Sequence, residues 1–409
     1  MPSVRSVSVG LYIKVGSRYE ENSEAGASHF IEHMLFKGCQ GWPTAMDIAT
    51  EIEGRGGYLN ASTGHESTTY WVKIGASHWQ ESLRLLANMV QHPLLRTEEI
   101  ELERGVIFDE IYMYRDVPED LVSQLSNQAM WGDNPLGREI AGEIETVSSL
   151  TPQHLCGFHA RAYQPDRAVL TIAGAIDVTE VQDFVAAQFG DWQINGDAVT
   201  LIPAPTLVSQ PRHRIAIRPS KQAHLQLAVP GLPRHHPDRY VLSLLNAILG
   251  DGMTSRLWQR MREELGLAYS IGSYLNVFAD SGVMGVYGGC DAKRILKTLV
   301  ETMSIWSDLQ QTAVPEHELR RFKEYIKGRM ELSSEDSSAV AAWWGRQVLT
   351  DSDILTLDQV LDRIESVTTE DIQRLAQVLW RPQRLTLAYV GPLDSEEHLV
   401  NWLTKSAQG

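Results

Sequence analysis

LTPQHLCGFHARAYQPDRAVLTIAG, residues 150–174, returns without a gap as VTTEDIQRLAQVLWRPQRLTLAYVG, residues 367–391. Thr151 stands opposite Thr368, Pro165 opposite Pro382, Arg167 opposite Arg384, Leu170 opposite Leu387 and Gly174 opposite Gly391, always 217 residues apart. The same offset lays TEEIELERGVIFDEI (97–111) on VPEHELRRFKEYIKG (314–328), with a shared Glu-Leu-x-Arg, and HFIEH (29–33) on NAILG (246–250). Three blocks at one spacing indicate a duplicated unit.

At 409 residues the chain exceeds what one hydrophobic core usually serves. Between the repeats, NGDAVTLIPAPTLVSQPRHR (195–214) mixes Pro, Gly and polar residues with little periodicity, as a linker does. The expected organisation is a domain over 1–200, a linker over 201–213 and a homologous domain over 214–409. Each half reads as strand, helices, strands, long helices and a closing strand, an α+β order without strict βαβ alternation. In the first half VRSVSVGLYIKVG alternates, ASHFIEHMLFKG and TAMDIATEIEG are helical, and YLNASTGHESTTYWVKIG is strand-like. Thr97 opens a long helix with an acidic first turn, and AVLTIAGAI reads as a buried strand.

Hydrophobic residues make up 43% and charged ones 22%, which places the chain among folded globular proteins. A net charge of −16 argues against nucleic acid or an anionic membrane as partner. No apolar stretch approaches the roughly 18 residues of a membrane helix. Cys39, Cys156 and Cys290 are scattered, odd in number and without CxxC spacing, so a reducing, cytoplasmic setting is expected.

The chemistry concentrates in HFIEH. On a helix, His29 and His33 lie one turn apart on one face and can share a small cation such as zinc. Glu32 sits close enough to accept a proton from water held at such a metal, which supplies the base that hydrolysis needs. A merely solvated polar face is the plain alternative. Phe30, Ile31, Met34, Leu35 and Phe36 argue against it, because they make the helix apolar enough to be buried. A catalytic zinc takes a third protein ligand. The helix from Thr97 offers Glu103 and Glu110, nearly two turns apart on one face, and geometry alone allows either; the other would then orient a histidine.

These residues resemble the pitrilysin/insulinase peptidases, or inverzincins, whose pattern is HxxEH followed by a glutamate 76 residues on. Seventy-six residues separate His33 from Glu110 here, and Glu103 matches the family's earlier glutamate. VRSVSVG, GSRYE, ASHFIEHMLFKG and SRLWQRMREELGLAYSI read like bacterial relatives of the mitochondrial processing peptidase β subunit. The likeness runs from about residue 4 to residue 395.

The resemblance implies two homologous α/β-roll halves closing as a clamshell around a chamber, with one zinc in the N-terminal half on His29, His33 and Glu110. Glu32 would activate the water and Glu103 would support a ligand. Arg262 and Tyr269, spaced as in the family, would bind the substrate carbonyl. Asn60 and Ala61 would contact an extended peptide added to the strand YLNAST. At the 217 offset His29, Glu32, His33, Glu103 and Glu110 fall on Asn246, Leu249, Gly250, Arg320 and Lys327, so the second half is expected to hold no metal.

The family's usual first strand is missing before VRSVSVG, which would leave a sheet edge open; a homodimer, or a heterodimer with a paralogue, is expected. The expected activity is zinc-dependent cleavage of peptides or unfolded extensions. The rivals are a partner-dependent or non-catalytic peptide-binding subunit, and a chaperone-like chamber with a purely structural zinc.

Overall fold

The computed structural model describes every residue except Pro2, Asn195, Val208, Asp351, Ser352 and Gly409. Two compact units emerge, each assembled from three stretches of chain. The first comprises Met1–Tyr112, Glu139–Ile202 and Glu331–Ile354; the second comprises Met113–Arg138, Pro203–Met330 and Leu355–Gly409. A single cut at residues 201–213 does not reproduce these units, because each half of the sequence sends a segment to the other unit's sheet. Asn195 and Val208, in the stretch read as a linker, lie outside the described residues. Its neighbours are docked: Leu201 packs on the first unit's core, and Ala204 and Leu207 pack on a cluster in the second. Arg212 and His213 already belong to a strand.

In the first unit β1 (Ser6–Ile13), β2 (Tyr58–Thr63), β3 (Thr68–Gly75) and β4 (Ala168–Gly174) form an antiparallel sheet in the order β2-β3-β1-β4. Alternation along β1 sends Val7, Val9, Leu11 and Ile13 into the main core. There they meet Phe30, Ile31 and Met34 of helix Ala27–Leu35, Leu83 and Leu86 of helix Trp79–Gln91, and Ile107 of helix Thr97–Asp116. Each such side chain taken out of water contributes roughly 1.5–3 kcal/mol, enough to seat the helices firmly. β4 was expected to be buried, yet Ala168–Ile172 are only half-buried, because β4 is an edge strand. On the other face, helix Ser337–Leu349 lies against β1 and β4.

The second unit holds β5 (Arg212–Ile217), β6 (Ala223–Pro230), β7 (Ala268–Val277), β8 (Gly282–Cys290) and β9 (Thr386–Gly391), in the order β5-β9-β6-β8-β7. The run β9-β6-β8-β7 repeats the plan of β4-β1-β3-β2, and β5 adds a strand parallel to β9. Helix Pro118–Trp131 covers this sheet along β5, β6 and β9. The protein is thus an α+β molecule with two similarly built units. No helix among the described residues is long and apolar enough to cross a membrane.

Candidate metal centre

Helix 27–35 begins at Gly26, whose φ of 95° is open to glycine and strained for other residues. A Cβ there would also stand 2.7 Å from the Ala141 carbonyl oxygen. The buried Glu20 carboxylate accepts the N–H groups of Gly26 (2.9 Å) and Ser28 (2.8 Å), satisfying two helix-start donors and complementing the helix dipole. Ala27, Phe30, Ile31, Met34 and Leu35 bury one face. His29, Glu32 and His33 are left together on the other.

The second element is helix 97–116, seated by Ile100, Ile107 and Ile111. Two of its glutamates, Glu103 and Glu110, straddle the His33 ring. His33 Nδ1 donates to Glu103 Oε1 at 2.8 Å, while Glu110 Oε2 lies 3.5 Å from His33 Nε2 and 3.6 Å from His29 Nε2. The two Nε2 atoms face each other across 3.2 Å. A tetrahedral zinc with ligands about 2.0–2.1 Å away spaces those ligand atoms about 3.3–3.4 Å apart, so this triangle of two imidazole nitrogens and one carboxylate oxygen has the right size. The donor set is also the one zinc prefers. Glu103, pointing at the far side of the ring, is outside the triangle.

The protonation states fit the same purpose. Burial and the neighbouring His33 push His29 down to about 3, so it is neutral and offers a lone pair. Its Nδ1 is buried with no hydrogen-bond partner among the described residues, so nothing holds this ring from behind. His33 is held from behind. Burial alone would lower its pKa, but the hydrogen bond to Glu103 and the surrounding carboxylates raise it. Burial works to raise Glu103 too, and it is outweighed by hydrogen bonds from His33 and Lys37, which keep it anionic. Lys37 Nζ sits 2.5 Å from Glu103 Oε2. Burial raises the Glu32 carboxyl, and the hydroxyl of Thr63, which donates to Glu32 Oε2, opposes that shift.

Lys37 and Thr63 had escaped the sequence reading. Lys37 follows His33 by four residues, a spacing that could have flagged it; Thr63 comes from the end of β2 and had no such signal. Asn60 and Ala61 lie on β2, at the edge of its sheet, with Asn60 exposed and its Oδ1 accepting from the Ala61 N–H at 2.8 Å. His65, just beyond β2, is half-buried, with its Nδ1 2.8 Å from Ser17 Oγ. Arg262 and Tyr269 both belong to the second unit and are brought together there. The guanidinium donates to the Tyr269 carbonyl oxygen at 2.8 Å and lies over the rings of Trp258 (4.2 Å) and Tyr269 (4.9 Å). Tyr269 is otherwise exposed.

A fold of two similar α+β units with an HxxEH helix in the first defines a class of metallopeptidase-like proteins, and similarity to known proteins agrees. Residues 1–144 match the family model described as insulinase (peptidase family M16), and residues 149–326 match the one described as the peptidase M16 inactive domain. An uncharacterized zinc protease of Mycobacterium leprae is 36% identical over 98% of this chain and 91% of that protein. Another, from Bacillus subtilis, is 35% identical over 96% of this chain and 94% of its own length. The crystal structure of a protease from Helicobacter pylori superposes with a TM-score of 0.89 at 21% identity, covering 96% of this chain and 94% of that one, and shares the fold. The chain belongs to the insulinase (M16) peptidase family.

Proposed function

We propose that this protein is a zinc-dependent endopeptidase acting on peptides or unfolded polypeptide segments. The observation that carries the reading is the triangle of His29, His33 and Glu110 donors with the Glu32 carboxyl beside it. A zinc ion held by those three residues would act as a Lewis acid, lowering the pKa of water towards neutrality and polarising a carbonyl. Glu32 takes the proton of the attacking water and returns it to the leaving amine. Its raised pKa makes it a stronger base than an exposed carboxylate, and Thr63 fixes one of its oxygens. Glu103 accepts the hydrogen bond of the His33 Nδ1–H, which leaves the Nε2 lone pair for the metal, and Lys37 holds Glu103 in place. The edge of β2 at Asn60 and Ala61 aligns the peptide by strand addition. The free thiols of Cys39, Cys156 and Cys290 suit a cytoplasmic enzyme.

Glu32→Gln is expected to retain zinc by metal analysis and to lose cleavage of an unstructured peptide by about 10²–10⁴-fold. Full activity in that variant, or cleavage by the purified chain that a chelator leaves untouched, overturns the reading.

A further inference from the structure

The first sheet carries a second feature on the face away from the histidine helix. Registry fixes which residues share that face: Tyr58, Asn60 and Ser62 of β2 stand opposite Lys73, Trp71 and Thr69 of β3. Lys73 pairs with Asp336 at the start of helix 337–349, so this set faces that helix. Thr63, the residue after Ser62, points the other way, to Glu32. Between the sheet and helix 337–349 lies a cavity of about 550 Å³, lined by Ser8, Tyr12, Ser62, Thr69, Trp71 and Arg346 among others.

The cavity has a rigid floor. Tyr12 is wedged under the helix where Gly345 has no side chain; a Cβ on Gly345 would lie 2.3 Å from the Tyr12 ring. Ser8 ties the same helix to the sheet through Ser337 (2.8 Å) and Ser338 (3.0 Å). Its charge is one-sided. Lys73 is neutralised by Asp336, whereas the exposed Arg346 has no carboxylate partner among the described residues. In a chain with 52 acidic against 36 basic residues, an arginine beside a cavity with no carboxylate partner among the described residues is out of character with the composition.

We propose that this cavity is a specificity pocket for a carboxylate of an extended peptide, selected by Arg346. The proposal deepens the peptidase reading and rests on its peptide-binding part. A peptide that adds to the free edge of β2 sends alternate side chains to the two faces of the sheet. Those on the Ser62 face meet the pocket, while the backbone passes Thr63, at the end of the same strand, and the helix-borne Glu32 to which Thr63 donates. An arginine presents a forked donor that matches a carboxylate in two parallel hydrogen bonds, and the Trp71 and Tyr12 rings flank it with apolar surface. The carboxylate could come from an Asp or Glu side chain or from the peptide's own C-terminus.

The test uses fluorogenic peptides that differ only by Glu or Gln at each position around the cut, each as a free acid and as a C-terminal amide. The wild-type chain is expected to favour Glu about tenfold in kcat/KM at one fixed position, the low end for a charge-assisted bond at an exposed site. A preference for the free acid over the amide assigns the carboxylate to the terminus instead. Arg346→Ala, checked for an unchanged thermal melt, collapses the ratio towards one, and Arg346→Lys keeps part of it. The same peptides are then bound to Glu32→Gln protein and read by fluorescence anisotropy. An Arg346-dependent preference in binding without any cleavage by the wild type supports the pocket and sinks the endopeptidase reading. Cleavage with no carboxylate preference, or a preference that survives Arg346→Ala, overturns the pocket and leaves that reading standing.

Discussion

Helix 27–35 of the first unit and helix Arg239–Gly250 of the second occupy the same place in one duplicated plan, yet they present opposite surfaces. The first leaves His29, Glu32 and His33 on its free face. The second carries Asn246, Leu249 and Gly250 at those offsets, and Leu244, Leu245, Ile248 and Leu249 are all buried. Gly250 lets the helix close onto β7: Ser273 Oγ donates to the Asn246 carbonyl oxygen at 2.9 Å, and a Cβ on Gly250 would lie 2.4 Å from the Ser273 nitrogen. On the partner helix Glu316–Ser333, Lys327 pairs with Glu324 (3.4 Å) and Glu365 (3.5 Å). A unit of this plan therefore does not need the His29, Glu32 and His33 cluster in order to pack. Where those side chains are absent, the same helix packs shut with apolar contacts; where they are present, His29, Glu32 and His33 stay half-buried on the free face.

The most direct attack on that contrast exchanges equivalent positions. Glu110→Ala is expected to weaken zinc binding and cleavage by about a thousandfold, since a ligand counts for more than the 10–100-fold typical of its supporting partners. Lys327→Ala should leave both within about twofold, as read by metal titration and peptide turnover. A zinc affinity unaltered in Glu110→Ala would remove it from the ligand set.

Building histidine into the second unit should fail for packing reasons. Gly250→His forces helix 239–250 off Ser273, at a cost of roughly 3 kcal/mol in a denaturant melt, and zinc stoichiometry stays at one per chain. A second bound zinc at undiminished stability would show that packing is not what closed this site.

A smaller effect is expected from the support behind His33. Glu103→Gln and Lys37→Met should each lower zinc affinity by about 10–100-fold without abolishing it. Equal affinity in Lys37→Met would reduce the lysine to a surface ion pair.

The smallest effect concerns His159, whose counterpart at the 217 offset is the buried Ala376. His159 donates to the Val90 carbonyl oxygen (3.0 Å) and stacks on Tyr163 (4.6 Å); burial lowers its pKa from 6.5 to about 4. A histidine depressed on folding adds stability that is complete above the unfolded value and is lost as pH falls from 6.5 towards about 4. With allowance for its partial exposure, about 2 kcal/mol of acid sensitivity should vanish from His159→Ala melts measured between pH 7 and pH 4. A slope equal to the wild type's would assign the acid sensitivity to other groups.

Much of this was legible in the sequence because it depends on local spacing. Helix period alone put His29, Glu32 and His33 on one face, and the strand alternation of VRSVSVG and the 217-residue repeat reflect chain geometry that any fold must respect. The choice between Glu103 and Glu110 was not fixed by period, since seven residues return to the same face. It took the docking of helix 97–116 to set one carboxylate at each nitrogen of His33.

What the sequence determined by itself was therefore the duplicated α+β plan, the helix bearing the histidines and the absence of those side chains from the second copy. Tertiary structure alone decided that helix 118–131 covers the second sheet and helix 337–349 the first. It alone set Thr63 on Glu32, and Arg346 and Tyr12, 334 residues apart in the chain, around one cavity. The physical reason is that periodicity records which face of an element is apolar, whereas the partner that covers the face is chosen by shape and burial among elements far apart in sequence.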